Sequence, residues 1–147
     1  MKSARPKRPR TEQAFVLDAY KRLRRQGVPS LWEAPILGRS VDLVYLAGDD
    51  LITIEFKLRD WKRGLQQARD HQIGADFSYV CLPGEPSEAF RQAARAEGIG
   101  VLRFQDKEAW PFTIEEPASR SDRTWRTLRD ELRDRLKRRA DKPYDPR

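Results

Sequence analysis

Residues 38–58 hold two apolar runs, 41–46 and 51–58, on either side of the polar break Ala47-Gly48-Asp49-Asp50. The runs are rich in Val, Ile, Leu, Tyr and Phe, and the break offers Gly and Asp, so the chain must return on itself there as an antiparallel hairpin. With Gly48 facing Asp49, paired positions sum to a constant and Asp42 stands opposite Glu55. Side chains alternate along a strand, so Lys57 shares a face with Glu55, while Val41, Leu43, Tyr45, Ile52, Ile54 and Phe56 take the other. Three charged groups therefore gather on a hairpin otherwise built for burial. A buried carboxylate costs several kcal/mol, roughly, unless it is paired or holds a metal. Binding of a divalent ion is the reading that accounts for the placement.

Composition limits the alternatives. At 147 residues the chain suits one domain with a real core. No apolar stretch reaches membrane-spanning length and the N-terminus has no apolar signal core, so a soluble protein with no membrane partner is expected. Cys81 is the sole cysteine and His71 the sole histidine, which rules out an intrachain disulfide and a structural zinc site. The lone thiol points to the cytoplasm. Charge is distributed unevenly. Residues 1–10 hold five Lys or Arg and no acid, 120–147 hold eleven against six, and the middle holds fourteen against seventeen. Basic ends around a mildly acidic centre fit a polyanion partner gripped by the periphery, and they also serve solubility.

Residues 1–10 read as a disordered basic arm. Thr11 caps a helix that carries Phe15, Val16, Ala19, Tyr20 and Leu23 on one stripe and stops at Gly27. Residues 31–36 form a strand weakened by Pro35, and the hairpin follows. Asp60 caps a helix over 61–74 whose inner face bears Trp61, Leu65, Ala68 and Gln72. Strands are expected over 77–82 and 99–104, with an amphipathic helix over 86–97 between them and an edge strand over 112–115 after Pro111. A last helix, 122–139, aligns Trp125, Leu128, Leu132 and Leu136 within a field of arginines, as core or as a dimer contact. The fold class is α/β, a single-domain mixed β-sheet flanked by helices on both faces. Its segments are the arm 1–10, a domain over 11–119, and a basic helix and tail over 120–147.

Gly38-Arg-Ser-Val-Asp42, twelve intervening residues, then Glu55-Phe-Lys57 resembles the core of the PD-(D/E)XK nuclease superfamily over about residues 11–104. Val41 stands where the motif has proline. The resemblance implies a restriction-endonuclease-like αβββαβ core with an added C-terminal helix. It also implies a metal-dependent nuclease that hydrolyses phosphodiester bonds, with DNA favoured over RNA. Asp42, Glu55 and the Phe56 backbone carbonyl would hold Mg²⁺, for which Mn²⁺ can substitute, and Lys57 would position the attacking water. Such an ion is hard, takes one or two carboxylates and keeps several waters. Gln67-Ala-Arg-Asp-His71 resembles the Gln-X₃-Tyr element of the exonuclease branch with His in place of Tyr. Gln67 would then act on the water or a phosphate oxygen and His71 would touch the substrate, with Gln66 competing for the same role.

Glu12 matches a first-helix acid that serves as an extra ligand or holds a neighbour, and it equally fits helix-terminus electrostatics. Arg39, Arg59, Lys62 and Arg63 would follow the phosphate backbone. A homodimer is compatible with this class. A non-catalytic nucleic-acid-binding module on the same fold is the alternative, and a protein-interaction domain with incidental basic ends is a third reading.

Overall fold

Two tight hairpins set the first half of the sheet. The computed structural model describes residues 11–140, so the expected arm 1–10 and the end of the tail fall outside the described residues. Strand β1 (Ser30–Ile36) turns through Leu37 and Gly38 into β2 (Arg39–Ala47), which turns through Gly48 and Asp49 into β3 (Asp50–Phe56). Leu37 and Gly38 both have positive φ, 46° and 75°, which a two-residue turn with right-handed strand twist requires. In β2 and β3, Leu43 faces Ile54 and Ala47 faces Asp50, the register read from the sequence.

The chain then alternates. Helix α1 (Glu12–Arg25) precedes the hairpins, and helix α2 (Trp61–His71) follows them, closed by a 3-10 turn, Gln72–Gly74. Strand β4 (Phe77–Leu82), helix α3 (Glu88–Ala96), strand β5 (Gly100–Phe104), strand β6 (Phe112–Glu116) and helix α4 (Arg126–Ala140) complete it. The six strands lie in the order β1-β2-β3-β4-β5-β6. Pairing is antiparallel through β3, parallel from β3 to β5, and antiparallel again at β6. The expected order of elements and the mixed sheet are both present. Strand β3 is where antiparallel pairing changes to parallel, and ligands of α/β sheets favour such switch points beyond the carboxyl ends of strands.

Local chemistry explains the helix ends. Thr11, Asp60 and Ser87 each accept a hydrogen bond from a backbone N–H three residues on, capping α1, α2 and α3. The last helix starts at Arg126, four residues later than its sequence pattern suggests. Ser121 Oγ donates to Gln72 O and Thr124 Oγ1 donates to Ala75 O, which ties 121–124 to the turn after α2 instead of to a helix. Trp125 consequently lies outside the helix and is 51% exposed, so it leaves the apolar stripe assigned to it.

One face of the sheet is covered by α1. Val16, Ala19 and Leu23 pack there on Leu43, Tyr45, Ile52, Ile54 and Phe56. The other face carries α2 and α3 over β4 and β5, and Leu132 and Leu136 of α4 over β1 and β2. The C-terminal helix is therefore part of the core. Among its anchors Asp76 is buried, accepts from Leu51 N at 2.8 Å and pairs with Arg129 and with Arg120 at 3.5 Å. Val41 departs from expectation. It packs with Leu31, Ala34 and Ile36 on the α4 side. Glu33, in β1, has φ 50°, and across it the inward-facing residues change from Leu31 to Ala34 and Ile36, taking the paired Val41 with them. Together these elements make one mixed α/β domain. No helix among the described residues is long and apolar enough to cross a membrane.

Candidate functional site

At the open end of the β2–β3 hairpin a carboxylate takes over from the ladder. Backbone pairing is regular from Ala47 to Leu43, and at the next step the Phe56 N–H donates to Asp42 Oδ2 at 2.8 Å. Glu55, one step beyond the last paired residues Leu43 and Ile54, lies close enough that its charge acts on the Asp42 carboxyl. Glu55 is buried and Asp42 half-buried. Burial first, then the Glu55 charge, pushes the Asp42 carboxyl up to about 7, and burial raises Glu55 as well. Part of the Asp42 rise is like-charge repulsion, since two carboxylates this close ionise less readily together than apart.

Helix α2 closes over this pair. Gly64 permits the approach: a Cβ there would stand 2.9 Å from Lys57 Cγ and 3.0 Å from Val80 Cγ1. Lys57 is thus laid along α2 by its stem, with its backbone N–H donating to Cys81 O at 3.0 Å. One turn from the end of α2, Gln67 turns inward and Gln66 faces solvent, which settles the competition between them for the inner position. His71, on the same helix face, brings Nδ1 to 3.0 Å from Glu55 Oε1, and both side chains are 3% exposed. Burial holds the imidazole down at about 4, so it is neutral at pH 7 and the contact is no ion pair. Neither is it an aligned hydrogen bond. Glu55 Oε1, His71 Nδ1 and Gln67 Oε1 are all buried without a hydrogen-bond partner.

The remaining candidates sit further out. Glu12 Oε2 accepts the Leu58 N–H at 2.9 Å, fastening the start of α1 to the chain just past Lys57. Arg39 pairs with Asp70 of α2 at 2.6 Å and stays exposed. Arg59, Lys62 and Arg63 are exposed around the first turn of α2, with Lys62 Nζ 5.7 Å from the centre of the Trp61 ring. Phe56 contributes its N–H to Asp42, and its peptide borders the acid pair. His71 lies inside the fold, so a direct substrate contact would have to reach past the helix surface.

Glu55 Oε1 and Gln67 Oε1 carry lone pairs that no hydrogen bond uses. Among the described residues, no three His, Cys, Asp or Glu side chains converge as a metal-binding group. Asp42 Oδ2 accepts the Phe56 N–H. Sequence reasoning passed over Asp70 and Asp76. Asp76, one residue before an apolar strand, carried a signal in its position, but its partner Arg129 is 53 residues away.

No family model and no curated protein matches the chain. Two solved structures match the chain. A protein of unknown function from Silicibacter pomeroyi, SPO1766, is 18% identical, with a TM-score of 0.60 over 90% of this chain and 87% of that one. The protein of unknown function AF1548 is 14% identical, with a TM-score of 0.49 over 64% of this chain and 61% of that one. At these identities the likeness to SPO1766 is one of fold.

Proposed function

We propose that the chain is a metal-dependent nuclease that hydrolyses phosphodiester bonds in DNA on a restriction-endonuclease-like core. One observation carries the reading: two carboxylates, half-buried Asp42 and buried Glu55, lie together, with a lysine two residues beyond Glu55. Structural ion pairs put opposite charges together; two acids side by side are kept for work. The residues that would hold the ion are Asp42 and Glu55, with the Phe56 carbonyl beside them. A divalent ion bound there, Mg²⁺ or Mn²⁺, supplies polarisation of a phosphoryl oxygen and a water of lowered pKa.

The protein's own part follows from the geometry. Lys57, steadied by Gly64, presents an ammonium to the scissile phosphate and the attacking water. Gln67 offers a carbonyl oxygen that has no other partner and can accept from that water. Glu12 holds the Lys57–Leu58 segment through the Leu58 N–H, a positioning role. Arg39, Arg59, Lys62 and Arg63 line the approach and would grip phosphates without reading sequence.

The lack of a converged three-ligand group among the described residues favours a second reading, a non-catalytic nucleic-acid-binding module. One experiment separates the two. The chain is incubated with Mg²⁺ or Mn²⁺ and linear, nicked, branched and single-stranded DNA, alongside Asp42→Asn, Glu55→Gln and Lys57→Ala. Cleavage that all three substitutions abolish, with folding intact, supports the nuclease. Salt-sensitive DNA binding without cleavage by the unaltered chain selects the binding module.

A further inference from the structure

We infer that Leu37, at the tip of the β1–β2 hairpin, is a wedge that enters a base step of bound DNA, which makes DNA with a weakly stacked step the preferred substrate class. The inference rests on the DNA-binding reading that the nuclease and the binding module share, and it needs no metal ion.

Neither backbone nor packing accounts for a leucine at this position. The first residue of such a two-residue turn has positive φ and is usually Asn, Asp or Gly. Leucine at φ 46° brings its Cβ against the following carbonyl, at a cost in free energy. Burial does not offset that cost, because Leu37 is 57% exposed. Among the described residues, no other large apolar side chain combines exposure with a positive φ. Backbone outliers that packing leaves uncompensated gather at functional sites.

Support and position agree. The preceding Ile36 is buried, and a Cβ at Gly74 would stand 3.1 Å from its Cδ1, so the tip rises from a packed base. Leu43 faces Ile54, so Arg39, four residues back along β2, leaves the ladder at the same end as Leu58, four residues on past β3. That end also holds Asp42 beside the Phe56 N–H. It carries exposed Arg39, Arg59, Lys62 and Arg63. The acids there are engaged: Asp70 pairs with Arg39, Asp60 caps α2, and Glu12 takes the Leu58 N–H. An apolar tip beside cations complements a duplex, whose phosphates meet the cations while the leucine parts two bases. Parting them costs least where pairing or stacking is already broken, which sets the preference. A membrane surface fits less well, since lying in one takes a broad apolar face.

Intact, nicked and mismatched duplexes carrying 2-aminopurine are titrated in chelator with wild type, Leu37→Asn and Leu37→Met. Anisotropy reads binding, and 2-aminopurine fluorescence reads unstacking. Asparagine is at home at positive φ, so Leu37→Asn keeps the turn. A fluorescence rise that wild type and Leu37→Met produce, and that Leu37→Asn loses at an unchanged unfolding temperature, supports the inference. So does a preference for the mismatched duplex that disappears in Leu37→Asn. DNA binding without the rise, or with a rise that Leu37→Asn keeps, overturns the inference and leaves the DNA-binding reading standing. A lower unfolding temperature in Leu37→Asn gives the leucine a part in the fold and overturns it too. Leu37-dependent binding to phosphatidylserine vesicles, with the DNA signals unchanged by the substitution, overturns it in favour of a membrane. Absence of salt-sensitive DNA binding by wild type overturns both the wedge and the DNA-binding reading.

Discussion

Gly64 of α2 lies so close to Lys57 of the chain following β3 that a Cβ at 64 would come within 2.9 Å of the Lys57 Cγ. The lysine stem can yield, but Val80, 3.0 Å from the same point, is fully buried and cannot. Gly64→Ala gains about 1 kcal/mol of helix propensity and loses about 1–3 kcal/mol to overpacking. The expected outcome is a small loss of stability in urea unfolding with a larger fall in the cleavage rate, because α2 shifts against Lys57. An unchanged rate would show that Lys57 does not depend on this contact.

The acid pair makes the metal-free protein sensitive to alkali. Asp42 titrates near 3.8 when unfolded and at about 7 when folded, so the native state holds the extra proton between these values. Stability is therefore fully present below about pH 4 for this group and is lost as pH rises through about 7. Buried, neutral His71 gains stability between pH 5 and about 6.5 and opposes this loss, so the readout in chelator is the change from pH 5 to pH 8 in wild type relative to Asp42→Asn. Asp42→Asn, which cannot ionise, should lose less over the same interval. Parallel losses in the two proteins would remove Asp42 as the cause.

Asp76 joins the hairpin turn to the C-terminal helix through the Leu51 N–H and Arg129. Asp76→Ala strands a buried N–H and a partly buried guanidinium together, and the expected cost is about 3 kcal/mol. Asp76→Asn keeps an acceptor for Leu51 and should cost less. Hydrogen exchange should show α4 and the 3-10 turn opening first in the alanine variant. Loss spread evenly over the sheet would argue against this anchor.

Arg59, Lys62 and Arg63 are exposed beside the first turn of α2. If each meets a phosphate, neutralising all three reduces the slope of log binding constant against log salt by up to about 2.7, at about 0.9 per contact. The measurement is DNA binding by anisotropy between 50 and 200 mM salt, on the order of the range where such contacts are felt. A slope that stays the same would put the DNA elsewhere on the protein.

The encounter of Asp42 with Glu55 was legible because it is local. A two-residue turn fixes the register of its own strands, and the register decides which residues face each other. Caps at Thr11 and Asp60 were legible for the same reason, each being satisfied within three residues. Val41 was misplaced because its side is set by a backbone departure at Glu33, in the neighbouring strand. Trp125 was misplaced because Ser121 and Thr124 find carbonyl partners near the end of α2, which no helical periodicity announces.

By itself, then, the sequence determined the order of elements and the hairpin with its register, interactions between residues near in the chain. Tertiary structure alone decided which way α2 is rolled, hence that Gln67 and His71 face inward and that the imidazole meets Glu55. It also decided that Asp76 finds Arg129 and that the last helix closes the core. Rolling a helix costs little in local backbone energy, so the choice falls to packing against strands far away in sequence.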